Sequence, residues 1–486
     1  MRVWWALALS ASVVLGAAAV GMGGLNQDEG WYLYAANLVS EGKILYRDFF
    51  FTQGPIMPWV YSRFVWIWKA FGLLGARCFT LGLGALGLLS ALGLARRLAP
   101  KESRNTVAWM VLLLLGCNLY HLYYLAIPKT YALASLFVLL GFYLATFDTF
   151  LCAFGAGVLL AFAAGTRISL GALLPVIGLA FLWGRKWKAL AGFCLGGLGF
   201  LALVYGGLLC DDAARAGFVA AQRYHAARGG SDCVWVVGSV SRLVRWYLPV
   251  FVVLGLALAQ MFRSGVDEVA GLRGRSAVLG WGFLAVFVLQ LLAPFPYEDY
   301  QVPVMGLLAV FAAVNFVNGG RLPERGWLLL LVLGLSFANS FGSPLLEKWA
   351  TNGQDRFWTL KKSSTELSQL RQVAQRIEQL DPGGTELLTQ DLYLAIETGR
   401  HVPAGLEMGP FAWLTDAQWR QLLETTECPV AALSGYTFAI RPPKCDQRPV
   451  EEQLGYWQIL KRRYHLVDRE EAFGQQATPL IILRRN

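Results

Sequence analysis

The stretch "VWWALALSASVVLGAAAVGMGGLNQDEGWYLYAANL", Val3–Leu38, sets the terms for the chain. Its first part, Val3–Gly24, is an apolar run of the length that crosses a hydrocarbon core of about 30 Å. The run stops at two adjacent carboxylates, Asp28 and Glu29, set among Trp31, Tyr32 and Tyr34. Taken alone, the run also fits a secretory signal peptide, with Arg2 as its n-region and "GAAA" as its cleavage site. Further runs downstream, and loop charges that need this one retained, favour a first membrane helix.

The rest of the chain agrees. Of its 486 residues 56% are hydrophobic and 15% charged, where soluble domains carry roughly 25% charged residues. Mean hydropathy is +0.46. The apolar residues fall in blocks at roughly 3–23, 73–95, 106–120, 130–147, 150–164, 168–183, 189–209, 247–262, 276–293, 303–317 and 327–342. The expectation is a polytopic α-helical membrane protein of about 11 transmembrane helices.

Loop charge orients those spans, because short cytoplasmic loops collect Lys and Arg. "RRLAPKESR" (Arg96–Arg104), "GRKWK" (Gly184–Lys188), "FRSGVDEVAGLRGR" (Phe262–Arg275) and "GGRLPER" (Gly319–Arg325) fall on one side with Arg2. That side reads as cytoplasm, with the N-terminus inside and the C-terminus outside. The outer side then receives the loop 24–72 and the turns near 121–129 and 165–167. It also receives the loop 210–246, the turn 294–302 and the tail. The outer loops are rich in cations as well, and an anionic ligand there would account for them.

The expected division is a membrane domain over 1–342, with outer loop 24–72, and an extracytoplasmic α/β domain over 343–486. In the tail, "RFWTLKKSSTELSQLRQVAQRIEQL" and "DAQWRQLLETT" carry helical spacing, while "ELLTQ", "AALSGYTFAI" and "PLIILRR" read as strands. There is no repeat, no nucleotide-binding glycine pattern and no expected nucleic-acid partner. The eight cysteines form no CxxC and the four histidines are scattered, which disfavours structural zinc. Cys210 with Cys233, and Cys428 with Cys445, fall where a disulfide would persist. Free buried thiols are the alternative.

Ionisable residues at span ends are costly and usually have a partner or a task. Asp28 and Glu29 can divide acid–base work, one taking a proton from a hydroxyl and the other orienting it or holding a metal. The alternative is a helix N-terminus near Asn26 with acids in its first turn. Lys129, after Pro128, can meet a phosphate or simply snorkel to the interface. Arg167 has the fork for bidentate phosphate binding or for a structural ion pair. In "APFPYEDYQVPVM" (Ala293–Met305), Glu298 and Asp299 lie between Tyr297 and Tyr300, a combination suited to sugar hydroxyls or to an aromatic belt with solvated acids.

The motif "DEGWYLYAANLVSEGKILYRDFFFTQGPIMPWVY", from Asp28 on, resembles the first outer loop of bacterial GT-C class membrane glycosyltransferases. These are related to the protein O-mannosyltransferases (glycosyltransferase family 39-like) and the lipid A aminoarabinose transferase. "IPKTYALASLFVLLGFYLA", "AAGTRISLGALLPV" and "YEDYQVPVMGLL" resemble later parts of the class, so the likeness runs over about 1–340. It implies a hexosyl- or pentosyltransferase in the bacterial inner membrane. The donor would be a polyprenyl-phosphate-linked sugar and the acceptor a lipid, glycan or protein on the outer side.

Carried residue by residue, Asp28 becomes the catalytic acid-motif residue with Glu29 supporting it. Lys129 and Arg167 become candidates for the donor phosphate. Tyr32, Arg47, Asp48, Tyr297, Glu298 and Asp299 become candidates for the sugar or acceptor. Metal use stays open, with Asp28 and Glu29 the positions for a divalent cation such as Mg or Mn. The tail does not resemble the β-trefoil of eukaryotic O-mannosyltransferases. Competing readings are a flippase or transporter for lipid-linked glycans, a surface-polysaccharide polymerase or ligase, and a non-catalytic assembly factor.

Overall fold

The computed structural model describes residues 2–227, 233–263, 274, 276–294, 296–318, 334, 364–411, 414–434, 457–475 and 477–486. The apolar blocks become helices α1 (Arg2–Met22), α4 (Val65–Leu98), α5 (Arg104–Val111), α7 (Thr130–Ala145), α8 (Phe150–Thr166), α9 (Leu173–Trp183), α10 (Trp187–Cys210), α13 (Leu248–Arg263), α14 (Ala277–Leu291) and α15 (Val302–Asn318). The last expected block, 327–342, lies outside the described residues. Four stretches of helix are each long and apolar enough to cross a membrane: Val3–Met22, Ile56–Leu98, Trp187–Cys210 and Glu298–Val317. Two bent pairs would raise that number to six. Four shorter apolar helices, Thr130–Ala145, Phe150–Thr166, Ile168–Trp183 and Ala277–Leu291, stand among them. The chain is a multi-pass membrane protein.

Between the apolar blocks lie further helices. α2 (Gln27–Ser40) starts where the acids predict, with Asn26 as N-cap. α3 (Ile56–Tyr61) follows, and α6 (Leu119–Ala126), α11 (Asp212–Ala226) and α12 (Cys233–Trp246) come later. The expected span start at 73 has a physical cause: Gly72 sits at φ 63°, ψ −157° and breaks α4. The Glu397 carboxylate caps the resumed helix by accepting the Leu73 N–H at 2.7 Å.

α7 packs between α4 and α8, and α8 packs on α10. The last pair touches backbone to backbone, because a Cβ on Gly196 would lie 2.2 Å from the Phe154 carbonyl oxygen. Small residues at helix contacts replace the hydrophobic drive that lipid cannot supply.

Two breaks face each other. The chain turns 70° between Gly116 and Leu119, and 87° between Trp246 and Leu248. Asn118 answers both, its Oδ1 accepting the His121 N–H and its Nδ2 donating to the Trp246 carbonyl, each at 3.0 Å. Backbone groups freed in an apolar surrounding need such partners.

The C-terminal residues contain α16 (Glu366–Leu380), α17 (Leu392–Thr398), α18 (Asp416–Thr425), α19 (Trp457–Arg463) and the strands β1 (Val430–Ser434), β2 (Tyr464–Phe473) and β3 (Thr478–Arg485). The sheet is antiparallel in the order β1-β3-β2, with Ala432 opposite Ile482 and Leu466 opposite Leu483. Only isolated bridges, including Leu388 to Ala431, form where "ELLTQ" was expected as a strand. β2 carries too many charges to be legible as a strand; pairing with the buried β3 makes it one. Of "AALSGYTFAI", residues 435–440 lie outside the described residues. Leu370, Val373, Ile377 and Tyr393 share one hydrophobic core with Trp31 and Tyr34 of α2. Gly30 permits that contact, since a Cβ there would lie 2.4 Å from the Tyr393 nitrogen.

The disulfide expectations change. Cys210 and Cys233 are exposed free thiols and Cys428 is a buried free thiol. Cys445 lies outside the described residues.

Candidate active site

Asp28 and Glu29 leave the start of α2 in different directions and meet different chemistry. Glu29 is fully buried against Arg77 of α4, which donates from Nε to Oε2 and from Nη2 to Oε1, both at 2.7 Å. The other Arg77 donors go to the carbonyls of Val20 (3.1 Å), Gly23 (2.9 Å) and Gly24 (2.8 Å) at the end of α1. A guanidinium has five N–H groups, and all five are used. Glu29 Oε1 also accepts the Asn26 N–H at 2.9 Å, closing the cap of α2.

Asp28 keeps 27% of its side chain exposed. Its Oδ1 accepts the Trp31 indole N–H at 3.1 Å, and its Oδ2 pairs with the Lys129 ammonium at 2.8 Å. Lys129 stands in extended backbone just before α7 and is 6% exposed. Its ammonium also reaches Asp299 Oδ2 at 3.1 Å, which accepts the Tyr131 hydroxyl at 2.8 Å. Burial works against charge on Lys129, but the Asp28 and Asp299 carboxylates outweigh it and hold the ammonium's pKa well above its ordinary value. One cation thus bridges acids from α2 and from the 3-10 turn Glu298–Gln301.

Arg167 caps the C-terminal end of α8 and is 8% exposed. Its guanidinium lies over the rings of Tyr131 (4.9 Å) and Tyr300 (4.6 Å), and Nη1 donates to Thr130 Oγ1 at 3.1 Å. Among the described residues no carboxylate pairs with it, and its buried Nε has no hydrogen-bond partner. A guanidinium set against two aromatic rings with an unpartnered Nε–H suits an oxyanion.

Tyr32 joins the cluster, stacked on Trp31 at 3.9 Å, and burial with the nearby Asp28 pushes its phenol well above the usual tyrosine range. The turn separates its two acids: Asp299 faces Lys129, while Glu298 Oε2 accepts from Arg242 Nε of α12 at 2.9 Å. Tyr297 stands outside, edge-on to Trp235 at 5.5 Å and Tyr300 at 5.6 Å. Arg47 and Asp48 do not join this network. They pair with each other at 2.9 Å, and Arg47 reaches Asp211 at 3.5 Å.

Three of these partners, Tyr131, Arg77 and Arg242, are absent from the sequence candidates, and Tyr300 stands there only as a neighbour of the acids. Tyr131 and Tyr300 lie inside stretches already singled out. Arg77 is a charge one turn inside an apolar span, itself a signal of a buried partner. Arg242 looks like any cation of a long loop.

The donor set does not suit a metal. Both Glu29 oxygens are taken by Arg77, and Asp28 with Asp299 already shares an ammonium. Among the described residues no group of three or more His, Cys, Asp or Glu is placed to hold an ion.

No protein-family model and no curated protein sequence matches the chain. Its structure is similar to ArnT from Cupriavidus metallidurans in the apo state, at TM-score 0.62 and 14% identity, over 99% of this chain and 98% of that one. It is similar to the same protein bound to undecaprenyl phosphate at TM-score 0.62 and 14% identity, over 99% and 97% of the two chains. The apo oligosaccharyltransferase of Archaeoglobus fulgidus matches at TM-score 0.50 and 10% identity, over 95% of this chain and 73% of that one. The chain has the GT-C fold.

Proposed function

We propose that this protein is a glycosyltransferase that moves a sugar from a polyprenyl-phosphate donor to a hydroxyl of a lipid, glycan or protein. The observation that carries this reading is Arg167, a buried guanidinium whose Nε–H has no partner and which, among the described residues, pairs with no carboxylate, beside the Asp28–Lys129–Asp299 chain. The undecaprenyl phosphate bound by the structurally similar ArnT supports the choice of anion.

In the proposed step the acceptor oxygen attacks the anomeric carbon while the carbon–oxygen bond to phosphate breaks. The acceptor proton goes to the Asp28 carboxylate and the electron pair leaves with the phosphate. Arg167 and Lys129 stabilise that growing charge, which is where preorganised cations help most. Glu29, spent on Arg77, supports Asp28 by fixing the start of α2. Asp299 holds Lys129, and Tyr32 lines the acceptor side. Arg47 and Asp48 take no part in the step, and no metal enters it.

The site would face the outside of the bacterial inner membrane, because the basic loops near 96–104 and 184–188 lie at the opposite ends of its helices. Residues 1–342 would form the catalytic membrane domain and 343–486 the extracytoplasmic one. The test is D28N in the purified full chain, assayed for sugar transfer from extracted lipid-linked donors. Folded protein that no longer transfers supports the reading. Full activity in D28N overturns it.

A further inference from the structure

The start of α2 is held from far along the chain. The backbone N–H groups of Leu25, Asn26, Gln27 and Asp28 each end on a side-chain oxygen. Two of those oxygens are local: Glu29 Oε1 accepts the Asn26 N–H at 2.9 Å, and Asn26 Oδ1 accepts the Asp28 N–H at 3.1 Å. The other two belong to the C-terminal residues. Glu366, the first residue of α16, accepts the Leu25 N–H at 2.7 Å through Oε2. Gln475, in the turn between β2 and β3, accepts the Gln27 N–H at 2.8 Å.

Asp391, just before α17, adds a further tie. Its Oδ1 accepts from Gln27 Nε2 at 3.0 Å and from the Tyr393 hydroxyl at 2.9 Å, and that hydroxyl itself accepts from Gln27 Nε2 at 3.3 Å. Glu366 and Asp391 are both buried, and a buried carboxylate is costly unless its hydrogen bonds are made. These two are turned on Leu25 and Gln27, immediately before Asp28. The local and the remote contacts differ in what they can do. The Asn26–Glu29 capping box starts a helix whatever surrounds it. The remote acceptors fix where the first turn stands, and so where the Asp28 carboxylate meets Lys129 at 2.8 Å and the Trp31 indole at 3.1 Å. Charge-assisted hydrogen bonds are short and directional enough for that task.

We propose that Glu366 and Asp391 are positioning residues for Asp28: buried carboxylates of the C-terminal residues that set the acid's placement for proton transfer without touching substrate. The inference rests on the transferase reading above and extends its machinery to the C-terminal residues.

Steady-state sugar transfer by the full chain in nanodiscs, from extracted lipid-linked donors, tests it. E366A and D391A each lower kcat per folded protein by roughly 5- to 50-fold with the donor KM unchanged, since a small misplacement of a reacting group is enough for that. E366Q and D391N, which keep an acceptor oxygen at the same reach, return kcat to within about three-fold of the parent. In a D28N background E366A lowers transfer no further, because it acts through a carboxylate that is already gone. E366D, one methylene short, serves where E366A does not fold. The proposal is overturned if E366A and D391A keep the parent's kcat, if KM alone changes, or if E366A lowers D28N transfer by the same factor as it lowers the parent's. Failure of the underlying transferase reading looks different: D28N would then transfer like the parent, and the positioning role would fall with it.

Discussion

Two ion pairs start one residue apart and end in opposite conditions. At Glu29 the charge is saturated: every Arg77 donor has a partner, and both carboxylate oxygens are used. At Asp28 the chain of charges is open: the carboxylate is partly exposed and Arg167 beyond it has an unused donor. A saturated network has nothing left to offer a substrate, so it holds structure. An unsaturated one is costly until a ligand completes it. On the proposed transferase reading, the difference in saturation, not in residue type, separates scaffold from chemistry.

The sharpest test of the contrast removes each acid's function in turn. D28N should lower transfer by roughly 10²- to 10⁴-fold, the range of a lost general base, while thermal unfolding stays close to the parent. R77M should do the reverse, leaving Glu29 buried without its partner at a cost of about 3–5 kcal/mol, read as a large fall in unfolding temperature. If R77M melts like the parent, the clamp is not structural and the comparison fails.

Next in size is R167Q. It should weaken binding of a short polyprenyl phosphate by roughly 10- to 100-fold, since a charge-assisted hydrogen bond contributes about 1.5–3 kcal/mol. Its unfolding temperature should hardly move, because among the described residues no carboxylate is left unpaired.

Lys129 gives a smaller, pH-based check. Its raised pKa means that its pairing contributes fully below the ordinary value of 10.5 and is lost only above the still higher folded value. Between about pH 6 and 9 it stays an ammonium, so K129R, also a cation, should keep the shape of the parent's pH–rate profile. A limb that moves in K129R would make Lys129 a proton carrier instead. The least effect belongs to R47A, whose exposed pair with Asp48 should leave the melting curve within error.

Much of this was legible in the residues. The apolar block lengths, the cap at Asn26 and the helix 366–380 follow from local spacing, and local spacing is what a sequence displays. The convergence of Asp28, Lys129, Arg167 and Asp299 was legible only as a shared face. Their separation of roles was not, because Asp28 and Glu29 are chemically similar neighbours. Which one is buried depends on Arg77, forty-eight positions away.

By itself, the sequence determined a multi-pass helical membrane protein with an acid pair just after its first span. Apolar length and charge at span ends are local quantities with one low-energy arrangement in lipid. Tertiary structure alone decided that Glu29 is a strut and Asp28 an accessible acid, that Glu298 and Asp299 face opposite ways, and that the C-terminal residues share a core with α2. Each is a question of which charges lose water and which partners replace it, and only packing between distant segments answers that.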